Sequence, residues 1–143
     1  MPHTFQSWEL KHPMSVEPTP QAAPLSAKHR RLIAIWLTIS LAACIAALTL
    51  MPLSTPQAMP GTDKIHHIIA FMTLTLPCAV FYPRALFQMV VAATTYGALI
   101  EIIQPYIGRS GDFADFVADL AGVGLGVSLG LLLNMTLIRS PLL

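Results

Sequence analysis

Apolar residues fill this chain in four long blocks, and the segments before and between those blocks carry most of its prolines and basic residues. The first block, "LIAIWLTISLAACIAALTLMPL" from Leu32 to Leu53, has 22 residues, enough for a helix of about 33 Å, the thickness of a bilayer's hydrocarbon core. The second, "DKIHHIIAFMTLTLPCAVFY", runs from Asp63 to Tyr82 and stops before Pro83, with Pro77 placed to kink it. The third, "ALFQMVVAATTYGALIEIIQPYI" from Ala85 to Ile107, is closed by Pro105 near its end, and the fourth runs from Phe113 to Ile138 with Arg139 after it. Ser54 to Thr62 and Gly108 to Asp112 read as loops by their Pro, Gly, Ser and Thr content, and Arg84 sits in a tight turn. The pattern predicts an all-α fold, an integral membrane four-helix bundle. Residues 1–27, with Pro2, Pro13, Pro18, Pro20 and Pro24 and little apolar periodicity, are expected to form a disordered Pro-rich cytoplasmic tail ahead of it.

Composition agrees with a membrane location. More than half the chain is apolar, and it has eight basic and seven acidic residues in 143. Near-neutral charge leaves no basic surface for nucleic acid, and the length allows one small bundle. Cys44 and Cys78 stand alone in apolar runs with no metal-ligand or disulfide spacing, and are expected to be packing residues. A cleaved signal peptide would need a shorter apolar run and a small-residue cleavage site after it, so the first block is expected to stay as a span.

Short loops rich in Lys and Arg stay cytoplasmic. Lys11, Lys28, Arg30, Arg31, Arg84 and Arg139 fall on one side of the expected bundle, Lys64 and Arg109 on the other. Both termini are therefore expected in the cytoplasm, with the first and third loops facing outward.

This topology gathers the unusual polar residues at one end. Asp63, Lys64, His66 and His67 open the second helix, Glu101 and Gln104 close the third, and Arg109, Asp112, Asp115 and Asp119 follow. Five of the seven acids are in this set. Gly97, Glu101 and Gln104 share a helix face, as do Asp63 and His67. Asp112, Asp115, Asp119, Gly122, Gly126 and Gly130 fall within an arc of about 80° at 100° per residue, an acidic stripe running into a glycine stripe. Glycines so spaced serve close packing inside a bundle or between two copies alike, so the oligomeric state is open.

Asp112 and Asp115 suit a helix N-terminus, where carboxylates cap free amides. Asp119 is about 10 Å further along the axis, and Glu101 about 7 Å inside Tyr106. Ionisable groups at such depth are costly and point to function. Glu101 and Asp119 are expected to meet between antiparallel neighbours, with Arg109, Lys64 or His67 as partner. Arg109 could equally anchor at the interface, pair with the acids, or grip an anion.

"DKIHHIIAF" followed by "GALIEIIQPYIGRSGDFADFVADLAGVGLG" resembles the VanZ-like family of small bacterial membrane proteins, named for a teicoplanin-resistance protein, over roughly Met51 to Gly130. The resemblance implies that residues 28–143 form one VanZ-like four-helix transmembrane domain. It carries the family's opening Asp-Lys, histidine and aromatic onto Asp63, Lys64, His67 and Phe71, which selects His67 over His66. It places the Glu-x-x-Gln and following arginine on Glu101, Gln104 and Arg109, and a later Asp and Gly on Asp115 and Gly122. Asp119 stands where many members carry Asn.

The resemblance implies work at the cell envelope, on the outer face of the bacterial inner membrane. Three functions follow as expectations. In the first, a non-enzymatic protein binds an anionic lipid-linked or cell-wall component through Asp63, Lys64, His67, Glu101, Gln104, Arg109, Asp115 and Asp119, in a role of the teicoplanin-resistance type. In the second, Glu101, Asp119 and His67 are catalytic on a lipid-phosphate or glycan. The third is a proton- or cation-coupled transporter, which needs a carboxylate nearer the bilayer middle. No cofactor is expected, and no metal spacing is present, although paired carboxylates with His67 and Asp115 nearby could hold a divalent cation.

Overall fold

The computed structural model describes residues 25–51 and 62–138. The expected disordered tail, the first outward loop and Arg139 therefore lie almost wholly outside the described residues.

Among the described residues four α-helices make the fold: α1 (Ala27–Leu50), α2 (Thr62–Phe81), α3 (Leu86–Ile103) and α4 (Phe113–Leu133). No strand occurs among the described residues. Each helix, with its flanking turns, is long and apolar enough to cross a membrane. A 3-10 turn at Pro83–Ala85 joins α2 to α3, another at Gln104–Ile107 ends α3, and a π turn at Asn134–Ile138 ends α4. α1 begins earlier than its apolar run because the Ser26 hydroxyl accepts the His29 backbone N–H at 3.3 Å, which satisfies one free amide of the first turn. The basic cluster Lys28 to Arg31 is thus wound into the helix. α2 continues through Pro77 without interruption.

The helices alternate in direction. Arg31 near the start of α1 lies over the Tyr82 ring at the end of α2, 5.7 Å from its centroid. At the other end of the bundle, Arg109 reaches the carbonyl of Leu48 in the last turn of α1. One end of the bundle therefore holds Lys28, Arg30, Arg31 and Arg84, and the other holds the acids.

α2 is the central element, burying His67, Phe71, Leu74, Thr75, Pro77, Cys78, Ala79 and Val80. α1 buries only Ala34 and Ile45 and exposes Trp36, Leu37 and Ile39, so most of its surface faces the surroundings. It packs on α2 and α3, and the Tyr96 hydroxyl of α3 donates to the Ala42 carbonyl at 2.7 Å. Ile45, Phe71, Leu74, Ala93, Ile100 and Val123 form the apolar core.

α3 and α4 are antiparallel neighbours across the short loop, as expected, but the closest helix pair is α2 with α4. α4 does touch α3, but its glycine stripe lies on α2. A Cβ on Gly122 would strike the Ile68 carbonyl, one on Gly126 the Met72 carbonyl and the Thr75 hydroxyl, and one on Gly130 the Ala79 side chain. The next position in this four-residue series, Asn134, donates its amide to the Val80 carbonyl at 2.5 Å. The touching positions climb together along both helices, so α2 and α4 run parallel. Apolar burial drives little association between helices in lipid, where close backbone approach supplies the packing instead. The glycine stripe is what allows that approach here.

Candidate functional site

The acidic end is assembled from three helices and one loop. Gly108 takes the left-handed conformation at φ 78°, which turns the chain after the 3-10 segment at little cost only for glycine. Gly111 then lies so close to α3 that a Cβ would strike the Glu101 carbonyl. Asp112 follows as the N-cap of α4, its carboxylate accepting the Ala114 N–H at 3.0 Å. Its own backbone N–H donates to Glu101 Oε2, also at 3.0 Å. One residue thus starts α4 and fixes the carboxylate at the end of α3.

Lys64, on the first turn of α2, donates to Asp112 Oδ2 at 3.3 Å and to Asp115 Oδ1 at 3.2 Å. Asp112 is half exposed and Asp115 buried, so the lysine closes the rim of the site over a deeper carboxylate. The Ala114 amide, and after it the Lys64 ammonium, hold the Asp112 carboxyl below its ordinary value of 3.8.

Beneath this rim, one turn further along α2, His67 Nδ1 is hydrogen-bonded to Asp119 Oδ1 at 2.8 Å. Glu101 Oε1 lies 3.8 Å from the same nitrogen. His67 and Asp119 are 4 % and 1 % exposed, so the pair is sealed within the helices. Two oxygens in this cluster, Glu101 Oε1 and Asp119 Oδ2, are buried without a hydrogen-bond partner. Gly97 of α3 makes the recess for the second: a Cβ there would stand 2.7 Å from Asp119 Oδ2 and 3.2 Å from the Phe71 ring. Phe71, 1 % exposed, is the floor of the site, tilted against Tyr96 with ring centroids 6.0 Å apart.

Glu101 and Asp119 therefore do come together, with His67 between them. His66 is exposed and takes no part. Asp63 shares its helix face with His67, and a carboxylate oxygen from it lies within 4.8 Å of donor atoms of His67 and Asp115. Gln104 is buried, at 2 % exposure, in the 3-10 turn that follows Glu101.

Of the roles open to Arg109, pairing with the acids is not the one the structure shows. Its Nη1 donates to the Leu48 carbonyl of α1 at 3.3 Å. The last carbonyls of a helix lack intrahelical partners and carry the negative end of its dipole, which is enough to draw the guanidinium aside. Asn134 was not singled out by its sequence context, although it continues the spacing of Gly122, Gly126 and Gly130. Its position in that series is the signal that marks it.

Fold and site together define a multi-pass membrane bundle with one buried His–Asp–Glu cluster near the end of its central helix pair. A family profile described as VanZ/LLP1 matches residues 17–134, most of the chain and more than the stretch that carried the resemblance. The chain belongs to the VanZ-like family. No curated protein and no solved structure matches it.

Proposed function

We propose that this VanZ-like protein acts at the outer face of the cytoplasmic membrane as a binding protein for an anionic lipid-linked or cell-envelope component. Both termini are cytoplasmic in this reading. Lys28, Arg30, Arg31 and Arg84 share the end of the bundle away from the acids, and a concentration of short-loop Lys and Arg stays inside. The acidic end then faces the envelope.

The observation that carries the reading is the layering of that end. A rim of Lys64, Asp112 and Asp115 lies over a buried His67–Asp119–Glu101 cluster, an arrangement more costly than helix locking requires. Lys64 is already shared between two carboxylates. Arg109 spends one donor on Leu48, while a guanidinium has five, so Arg109 is the group left to grip an anionic oxygen at this end of the bundle. Binding of this kind needs no reaction.

Full-length protein in lipid nanodiscs, titrated with a polyprenyl phosphate, tests the proposal. A charge-assisted hydrogen bond is worth about 1.5–3 kcal/mol, so Arg109→Ala is expected to weaken binding about tenfold or more. Undiminished binding would sink the reading. A catalytic use of the same cluster has one observation in its favour, the 2.8 Å bond between His67 and Asp119, which suits a proton-transfer pair. Turnover of the bound phosphate that disappears in Asp119→Asn would move the protein into that class.

A further inference from the structure

We infer that His67, Glu101 and Asp119 form a site for one divalent cation of the first transition row, with Zn2+ as the ion of matching chemistry. The inference stands on these three side chains and is independent of what the protein binds at its mouth.

The three residues come from α2, α3 and α4, and one donor atom from each lies within 4.8 Å of the others. Acidic clusters are common without a metal. Here, however, Glu101 Oε1 and Asp119 Oδ2 are buried and bonded to nothing, in side chains only 10 % and 1 % exposed. Among the described residues no lysine or arginine pairs with either acid, since Lys64 is held by Asp112 and Asp115. Anionic oxygens taken out of water are costly unless paired. A divalent cation held between the three side chains would pair with both carboxylates.

The other oxygen of Glu101 is already occupied, since the Asp112 N–H holds Oε2. Such an outer contact orients a metal ligand, and here it leaves Oε1 beside His67 Nδ1. The hydrogen bond between His67 Nδ1 and Asp119 Oδ1 is the contact an ion would replace. Donors about 2.1 Å from a tetrahedral ion stand about 3.4 Å apart. The separations from His67 Nδ1 are 2.8 Å to Asp119 Oδ1 and 3.8 Å to Glu101 Oε1, which bracket that spacing. Coordination through Nδ1 uses the tautomer whose proton is on Nε2, a shift that changes neither charge nor oxidation state. An imidazole in the donor set favours zinc over manganese, magnesium and calcium, which suit oxygen donors. Three protein donors leave a coordination position open to water or to an oxygen of a bound ligand.

The test uses full-length protein in nanodiscs, stripped with a chelator and titrated with ZnCl2, MnCl2 or MgCl2 alone, read by calorimetry and by thermal unfolding. One equivalent of Zn2+ is expected to bind and to raise the Tm, with Mn2+ and Mg2+ weaker by about tenfold or more. Glu101→Gln and Asp119→Asn, each close in shape to the residue it replaces, are expected to weaken binding about tenfold or more, and His66→Ala to leave it unchanged. Absence of saturable binding to the unaltered protein up to millimolar metal overturns the inference, whether or not the variants fold. So does one equivalent that persists in folded Glu101→Gln and Asp119→Asn protein. Because no envelope component is present, either failure leaves the Arg109 test of the preceding section untouched.

Discussion

The α2–α4 pair ends in two different polar contacts, and the contrast separates packing from chemistry. At the basic end, Asn134 donates a neutral amide to one carbonyl of α2, and that bond completes a ladder of four-residue steps begun by the glycines. At the acidic end, His67 and Asp119 are bonded across the same pair, but a second acid joins from α3 and two carboxylate oxygens are left unpartnered. The first arrangement is closed: its donor has an acceptor, and nothing is charged. The second is open, and a buried charge with free lone pairs does no locking that an amide would not do at lower cost. Interhelical polar contacts in lipid average about 0.6 kcal/mol, so neither end accounts for the association of the pair. The glycines between them do.

Replacing the central glycine should therefore have the largest effect. Gly126→Leu would force a side chain into the Met72 carbonyl and the Thr75 hydroxyl, and overpacking of this kind costs typically about 1–3 kcal/mol, sometimes more. Denaturant unfolding in micelles is expected to show a destabilisation at or above that range, with the Asn134 and His67 hydrogen bonds breaking together as the helices separate. A variant as stable as the original would mean that the pair is not held at the glycines.

Second in size is His67→Ala. It leaves Asp119, 1 % exposed, without its one hydrogen bond, and an abandoned buried polar group costs about 1–3 kcal/mol, more when charged. The same unfolding assay should find it clearly worse than Asn134→Ala. Equal losses would mean that the two ends differ in composition but not in physical character. Third, Asn134→Leu removes a neutral bond and keeps bulk, so it is expected to cost about 0.6 kcal/mol and to leave metal and ligand binding at the far end intact.

Much of this contrast is visible in the sequence, because depth and helical phase are periodic properties. Spacing alone puts Asp119 and the glycines on one face of α4 and sets Glu101 below the surface, and the i, i+4 relation to Asp63 favours His67 over His66. What spacing does not supply is which helix that face meets. The short loop after α3 makes α3 the natural neighbour, whereas the parallel partner α2 is chosen by the fit of Gly122, Gly126 and Gly130 to its carbonyls, a three-dimensional match with no local signature. The same limit applies to Arg109. Its charge and position suited a pairing with the acids, and only the placement of α1 showed a free helix C-terminus within its reach. Asn134 carries no charge to mark it within its apolar run, though it sits on the glycine phase.

The smallest expected effect lies at the rim and tests whether Lys64 and Asp112 belong to the site or only to its edge. The Ala114 amide and Lys64 depress the Asp112 carboxyl below 3.8. A group whose folded value is depressed stabilises the fold above its unfolded value and loses that contribution as the pH falls through the folded one. Stability of the original protein should thus carry an acid-side decline below about pH 3.8 to which Asp112 contributes, and Asp112→Asn should flatten that part while leaving the profile near neutrality in place. The amide side chain can still cap α4, and the backbone N–H that holds Glu101 is unchanged by the substitution. Metal binding at His67, Glu101 and Asp119 should then survive in Asp112→Asn. If it fails there while the protein stays folded, the Lys64–Asp112 rim and the buried cluster act as one unit, and the boundary between edge and site has to be moved outward to include the lysine.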